Sequence, residues 1–427
     1  MTKGSNIKWL LKKTFDFIQD KNNFSQYLKE PIFFTRKRSL SFPVVVSTIL
    51  NLFKESVEYN IFTILPGISS KVVTGAAFSK ARYKISLSFF KDLNEILADH
   101  HKYHPSQLWR GYQLIAGDGS TVGLPPSRQI KDFFGIYSQK GESIKSCLAQ
   151  IFMFYDVFSG AILSKRISKM ENVERTLFNA CLEELPSRKS VVILDRGFGY
   201  FHIFKKLCTL KQDFCIRISS AQSCFAKRIV QECENDFITE WHPSPNEMES
   251  CLKHGLDTKT ITVRVTKIEL NTGETEILVS SLLDMNDVCT VNMKALYGQR
   301  WPVEEGFKKL KPKMKLEQFG ARKPDGIFQE FEAHVFMMNL VALFGIQAQQ
   351  KIDKNKKRKL KYKYNWQNAY RFVRKAIIQI LNTEHPEDII QSLIKLIASS
   401  KIPIKPDRSF PRITFKKRKN KTGQKLS

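Results

Sequence analysis

Ser190-Val-Val-Ile-Leu-Asp195-Arg-Gly-Phe-Gly199 is the stretch that decides how the centre of this chain folds. Val191 to Leu194 are apolar without alternation, the pattern of a short strand covered on both faces, and the run stops on a carboxylate. Upstream, Tyr112-Gln-Leu-Ile-Ala-Gly-Asp118-Gly-Ser-Thr121 repeats the plan. Between the two, residues 145–158 and 161–167 form β-rich runs around Phe158-Ser-Gly160, a hairpin signal, and Asn172 to Leu185 has helical spacing. Phe201 to Leu210 reads as a second helix and Asp213 to Ile218 as another strand. The order strand, hairpin, helix, strand, helix, strand predicts a mixed sheet flanked by helices.

Working outward, the first hundred residues carry apolar positions three and four apart, as in Pro43 to Lys54 and Ile85 to Leu97, and predict a helical region. Thr74 to Lys84 is basic and rich in small residues, which suits either a phosphate backbone contact or a solvated helix face. From Ser219 to Asp284 prolines interrupt the pattern, and Thr260 to Leu270 pairs with Glu276 to Leu283 across Asn271-Thr-Gly-Glu274, so a β-rich insertion is expected. Helix returns from Asn286 through Tyr297, Glu304 and Lys311, and again from Phe328 to Gln349.

Composition narrows the function. The 427 residues are 42% hydrophobic and 26% charged, which excludes a disordered or fibrous chain. The charge is unusual: 69 Lys+Arg face 41 Asp+Glu, a net +28. Residues 351–375 hold eleven basic residues and one acid, and residues 401–427 ten and one, so these two stretches contribute +19. Such an excess calls for a polyanion, nucleic acid first and an anionic membrane surface second. The most apolar stretch, Val335 to Ile346, is short for a bilayer span and contains Asn339, and Met1 to Lys13 has no signal-peptide core. Eight cysteines without a C-x-x-C pair point to a reducing compartment rather than to zinc or a disulfide scaffold.

Three carboxylates stand out as candidates for chemistry. Asp118 and Asp195 each end an expected strand with glycine close behind, where mixed α/β sheets place ligand-binding groups. Glu304 lies in the helical stretch Tyr297-Gly-Gln-Arg-Trp-Pro-Val-Glu-Glu-Gly-Phe-Lys-Lys-Leu-Lys311. At about 100° per residue, Tyr297, Arg300 and Lys311 fall about +20°, −40° and −20° from Glu304 on an ideal helix. A carboxylate flanked by two cations and a phenol suits a metal-bound phosphodiester, and an ion-paired surface stripe is the plainer alternative. His100, His101 and His104 precede Pro105 and read as a solvated helix end, and Trp301 reads as a core residue before a base-stacking one. The Lys416-Lys-Arg-Lys419 cluster reads as phosphate-binding, with a solvated chain end as the plainer alternative.

Tyr297-x2-Arg300-x3-Glu304-x6-Lys311 resembles the Y-R-E-K signature of the DDE transposases of bacterial insertion sequences, of the insertion-sequence-4 type. Asp118-Gly-Ser-Thr and Asp195-Arg-Gly-Phe resemble that family's first and second acidic motifs. The resemblance implies an α/β fold, a ribonuclease-H-like mixed-sheet core interrupted by a β-rich insertion, with helical N- and C-terminal regions. It divides the chain into a DNA-binding region at 1–105, core parts at 106–218 and 285–350, the insertion at 219–284 and a basic helical region at 351–427. It implies that Asp118, Asp195 and Glu304 are catalytic and hold two Mg²⁺ or Mn²⁺ ions, Asp118 touching both, while Tyr297, Arg300 and Lys311 contact DNA. Its expected partners are double-stranded transposon ends and target DNA, with a homodimer in the synaptic complex and no membrane, in the bacterial cytoplasm at the nucleoid. An inactive DNA-binding descendant and a stand-alone nuclease on the same core are the competing readings.

Overall fold

A computed structural model describes residues 7–52, 56–64, 73–138, 145–171, 174–186, 189–270, 273–354, 360–381 and 383–405. At its centre is an eight-stranded sheet: β1 Gln113–Gly123, β2 Leu148–Asp156, β3 Ile162–Lys169, β4 Ser190–Leu194, β5 Asp213–Ile218, β6 Asp236–Trp241, β7 Ile261–Glu269 and β8 Thr275–Ser280. Their spatial order is β3-β2-β1-β4-β5-β8-β7-β6. Only β1, β4 and β5 run parallel to their neighbours among themselves; all other pairings are antiparallel. This is the expected mixed sheet. The insertion strands β6, β7 and β8 are not a separate layer, since they continue the sheet beyond β5.

Period-two alternation puts every central strand in two cores at once. Leu114 and Ala116 of β1 and Val191 and Ile193 of β4 pack on one face, Ile115, Val192 and Leu194 on the other. Covering both faces is what an unbroken apolar run requires. The β2–β3 hairpin closes at Gly160, whose φ of +77° favours a residue without a Cβ, while the Ser159 N–H donates to Asp156 Oδ1 (2.7 Å).

The helices that position the site are α1 Ile7–Gln19, α2 Gly75–Arg82, α3 Leu87–Tyr103, α4 Glu174–Leu182, α5 Thr290–Gly298, α6 Pro302–Lys308 and α7 Pro324–Asp353. Helix α4 covers one face of the sheet; α5, α6, α7 and the N-terminal helices cover the other. The apolar stretch 335–346 therefore belongs to a 30-residue helix, long and apolar enough by composition to cross a bilayer, yet buried as the axis of the fold. Asn339, which interrupts that stretch, satisfies the backbone of Ile162: its Oδ1 accepts from the N–H (2.7 Å) and its Nδ2 donates to the carbonyl (2.9 Å).

Two sequence expectations need correction here. His101 is buried, not solvated, with Nε2 3.3 Å from the Asn339 carbonyl, and burial pushes its imidazole down to about 4. Arg82, inside the basic stretch expected to touch phosphate or face solvent, is only 2% exposed and bound to Glu330 (2.9 Å), Gln329 (3.0 Å) and the Gly326 carbonyl (3.2 Å). The Lys416 to Lys419 cluster lies outside the described residues.

The Arg82–Glu330 pair locks α2 to α7 in a buried setting, so removing one partner strands the other charge. Arg82→Ala is expected to lower unfolding free energy by about 3–5 kcal/mol, read from urea denaturation, whereas a surface pair would lose under about 1 kcal/mol.

Candidate active site

The register of two strands builds the site. Ala116 of β1 pairs with Ile193 of β4, so two residues further along Asp118 comes level with Asp195. Strand β4 stops at Leu194, and Asp195 leaves it in an extended conformation, its Oδ1 accepting from the Gly197 N–H (2.9 Å) at the start of a 3₁₀ turn. Strand β1 does not stop. It runs on to Gly123, paired with β2 alone, so Asp118 sits inside a strand rather than at its end, opposite Met153.

The glycines beside Asp118 therefore serve close approach rather than a turn. A Cβ at Gly117 would stand 2.7 Å from both Leu194 and Phe154, and one at Gly119 would stand 2.1 Å from Glu174 Oε1. Both contacts lie on the α4 face. By alternation Asp118 turns to the opposite face, where α6 packs against β1.

Across that face the stretch from Tyr297 to Lys311 is three pieces, not one helix. Helix α5 ends at Gly298, Pro302 occupies the first turn of α6, and residues Lys309–Lys313 form a π turn. Pro302 starts a helix, where its missing N–H costs nothing. The ideal angles therefore do not carry across residues 299–301 or through the π turn, although Arg300 still reaches Glu304: Nη2 donates to Oε1 at 2.8 Å. Arg300 also faces Asp118, and both carboxylates, with Tyr297, keep its charge above the ordinary guanidinium range against the opposing effect of burial. Tyr297 is buried; burial raises its hydroxyl well above the usual phenol range, in a surrounding that includes Arg300, Glu276, Arg217 and Asp195. The Lys311 ammonium donates to the Thr121 carbonyl, on β1 beyond Asp118. Trp301, expected in the core, is 43% exposed with the Lys308 ammonium 5.6 Å from its ring centre.

Electrostatics mark the same spot. Burial, then Asp195 and Glu174, push the Asp118 carboxyl up to about 7, and the Gly119 amide and Arg300 only partly offset this. Burial and Asp195 likewise raise Glu174. Sequence reading missed Glu174, whose only signal was its place at the start of a helix following the hairpin. Among the described residues, no three acidic, histidine or cysteine side chains are already closed around one point. What the place where β1 and β4 part offers is a set of oxygen donors with more negative charge than the neighbouring cations balance. That is the donor chemistry hard divalent ions prefer, so the residues fit such an ion.

Comparison with known proteins places the chain in a family. Residues 109–340, more than half of the chain, match the family described as the transposase DDE domain. The transposase InsG of insertion sequence element IS4 from Escherichia coli (strain K12) is 19% identical over 387 residues, covering 88% of this chain and 86% of that protein. The piggyBac transposase in its synaptic complex with hairpin DNA has a similar fold, with a TM-score of 0.50 at 10% identity, covering 96% of this chain and 90% of that one. The domain match over more than half of its length makes the chain a member of the DDE transposase family.

Proposed function

We propose that this transposase binds the inverted-repeat ends of a transposon, cuts their strands and joins them to target DNA, with Asp118, Asp195 and Glu304 as its catalytic carboxylates. The observation that supports this best is the register that brings Asp118 level with Asp195, beside an arginine already bonded to Glu304. These three carboxylates are the groups that would hold Mg²⁺ or Mn²⁺, two ions in all. When bound, such ions supply activation of a water or 3′-hydroxyl and neutralise the leaving oxygen.

The chain's own cations do the rest. Arg300 and Lys311 are spent on a carboxylate and a carbonyl in the protein alone. A DNA phosphate offers each a full anion, and a phosphate that takes Arg300 releases Glu304 toward Asp118. Substrate binding thereby helps assemble the acidic site. Tyr297 is a third DNA contact in this reading. The helical region 1–105 recognises the ends, the core parts 106–218 and 285–350 flank the insertion 219–284, and the basic region 351–427 holds the duplex. A homodimer pairs two ends in the synaptic complex, in the bacterial cytoplasm at the nucleoid.

Asp118→Ala, Asp195→Ala and Glu304→Ala proteins are expected to retard end DNA on a gel while losing strand cleavage with Mg²⁺ by on the order of 10³-fold or more. Unchanged cleavage by all three would overturn the assignment, and retardation without cleavage by the native protein would mark a DNA-binding descendant.

Arg300→Ala and Lys311→Ala are expected to weaken end binding and each to lower the slope of log affinity against log salt by about one unit, measured by fluorescence anisotropy.

The raised Asp118 carboxyl also gives a stability signature in the metal-free protein. The folded state keeps a proton that the unfolded chain releases, so the Asp118 contribution is full below pH 3.8 and is lost as pH rises toward about 7. Thermal unfolding should show Asp118→Asn gaining on the native protein across that window, and a constant difference would contradict it.

A further inference from the structure

Glu174 is a half-buried carboxylate that the proposed reaction does not yet use. Its side chain lies along the backbone of Gly119, filling the space where any other residue would carry a Cβ: Oε1, Cδ and Cγ stand 2.1, 2.5 and 2.7 Å from that point. The same peptide serves Asp118, because the Gly119 N–H donates to Asp118 Oδ1 at 2.9 Å. One glycine thus brings together two carboxylates that approach the end of the sheet from opposite faces.

Away from this site, buried Asp156 is met by hydrogen bonds from Gln113 Nε2 and the Ser159 N–H (2.7 Å each), and other buried or half-buried acidic groups are ion-paired. Glu330 has Arg82 at 2.9 Å, Glu332 has Lys165 at 3.2 Å, Asp236 has Arg264 at 2.6 Å and Glu184 has Arg166 at 2.5 Å. Among the described residues, no lysine or arginine nitrogen lies within 4.0 Å of Glu174, Asp118 or Asp195; besides burial, the Asp195 and Glu174 charges raise the Asp118 carboxyl, and the Asp195 charge raises that of Glu174. Arg175, next in sequence, is turned onto the Tyr200 ring at 4.2 Å. A carboxylate held against like charges is costly unless a cation joins them.

We propose that Glu174 is a fourth carboxylate of the cation-binding end of the sheet, held beside Asp118 by the missing side chain of Gly119. It stands on the α4 side while Glu304 stands on the α6 side, so the cation site is enclosed from both layers. The inference rests on the divalent-ion reading of the proposed function and extends it to a residue outside the three acidic motifs.

Titrating Mn²⁺ alone into the full chain, by calorimetry, tests it. Glu174→Gln keeps shape and removes charge; Gly119→Ala keeps the charge and displaces it. Both are expected to weaken Mn²⁺ binding about 10–100-fold, the range of supporting groups around metal sites. Without metal, Glu174→Gln should melt no lower than the native protein, because repulsion is relieved; a purely structural helix-start role would lower its melting temperature. Native Mn²⁺ affinity in Glu174→Gln, with binding lost in Asp118→Asn, overturns the role of Glu174 alone. Native affinity in both overturns the divalent-ion reading itself.

Discussion

Two parallel strands lie side by side at the middle of the sheet, and their register sets two aspartates level with each other where the pairing between them ends. Everything else near the site follows from managing that proximity. Burial disfavours the charged form of Asp118, and the nearby Asp195 and Glu174 charges add to the effect. Asp118 accordingly holds its proton far more tightly than an ordinary aspartate. The protein offsets the excess with one arginine, and that arginine is shared with Glu304. The protein is therefore built with a deficit of positive charge where the pairing of β1 and β4 ends, while carrying +28 overall. A deficit placed inside a strongly basic molecule is a local arrangement, not a consequence of composition.

Much of this was legible in the sequence because the strands obey simple patterning. The apolar run ending at Asp195, the hairpin around Gly160 and the pairing of residues 260–270 with 276–283 emerge as expected. A run without alternation means two covered faces, and the structure supplies both. The central misreading concerned Asp118. Sequence alone suggested a strand ending there, since Gly119, Ser120 and Thr121 look like turn residues. The strand continues because β2 pairs with it along its whole length, and antiparallel pairing to one neighbour suffices to keep it extended. The flanking glycines respond to Phe154, Leu194 and Glu174, which no local pattern reveals.

The same limit explains the helical layer. Helical spacing placed Tyr297, Arg300, Glu304 and Lys311 on one face, but a proline at residue 302 and a π turn at 309–313 reset the phase twice. That Arg300 still faces Asp118 and Lys311 still reaches β1 owes less to periodicity than to anchoring: Val303 and Leu310 are buried under the sheet, and the Lys311 ammonium is tied to the Thr121 carbonyl. Likewise, His101 and Arg82 looked like surface residues because charge and hydrophilicity are read as exposure. Each is buried against α7, where it meets a partner 238 or more positions away. Long-range partners of that kind are invisible to any window of sequence.

The buried polar ties to α7 bear on how the site is held. Arg82 reaches Glu330, Asn94 reaches Glu332, Lys165 reaches Glu332, and Asn339 reaches Ile162, so one helix is bonded to the N-terminal helices and to the sheet at successive turns. Apolar packing alone would tolerate small rotations of a helix that is hydrophobic on every side, because each face would bury about equally well. Hydrogen bonds to buried groups do not tolerate them, since a rotated helix would leave donors and acceptors unmet. The ties therefore fix the rotation of α7. The preceding segment, which carries Lys311 and Glu304, inherits its position from that choice. A carboxylate such as Glu304, on a seven-residue helix followed by a π turn, can be placed accurately only if the elements on either side of it cannot turn.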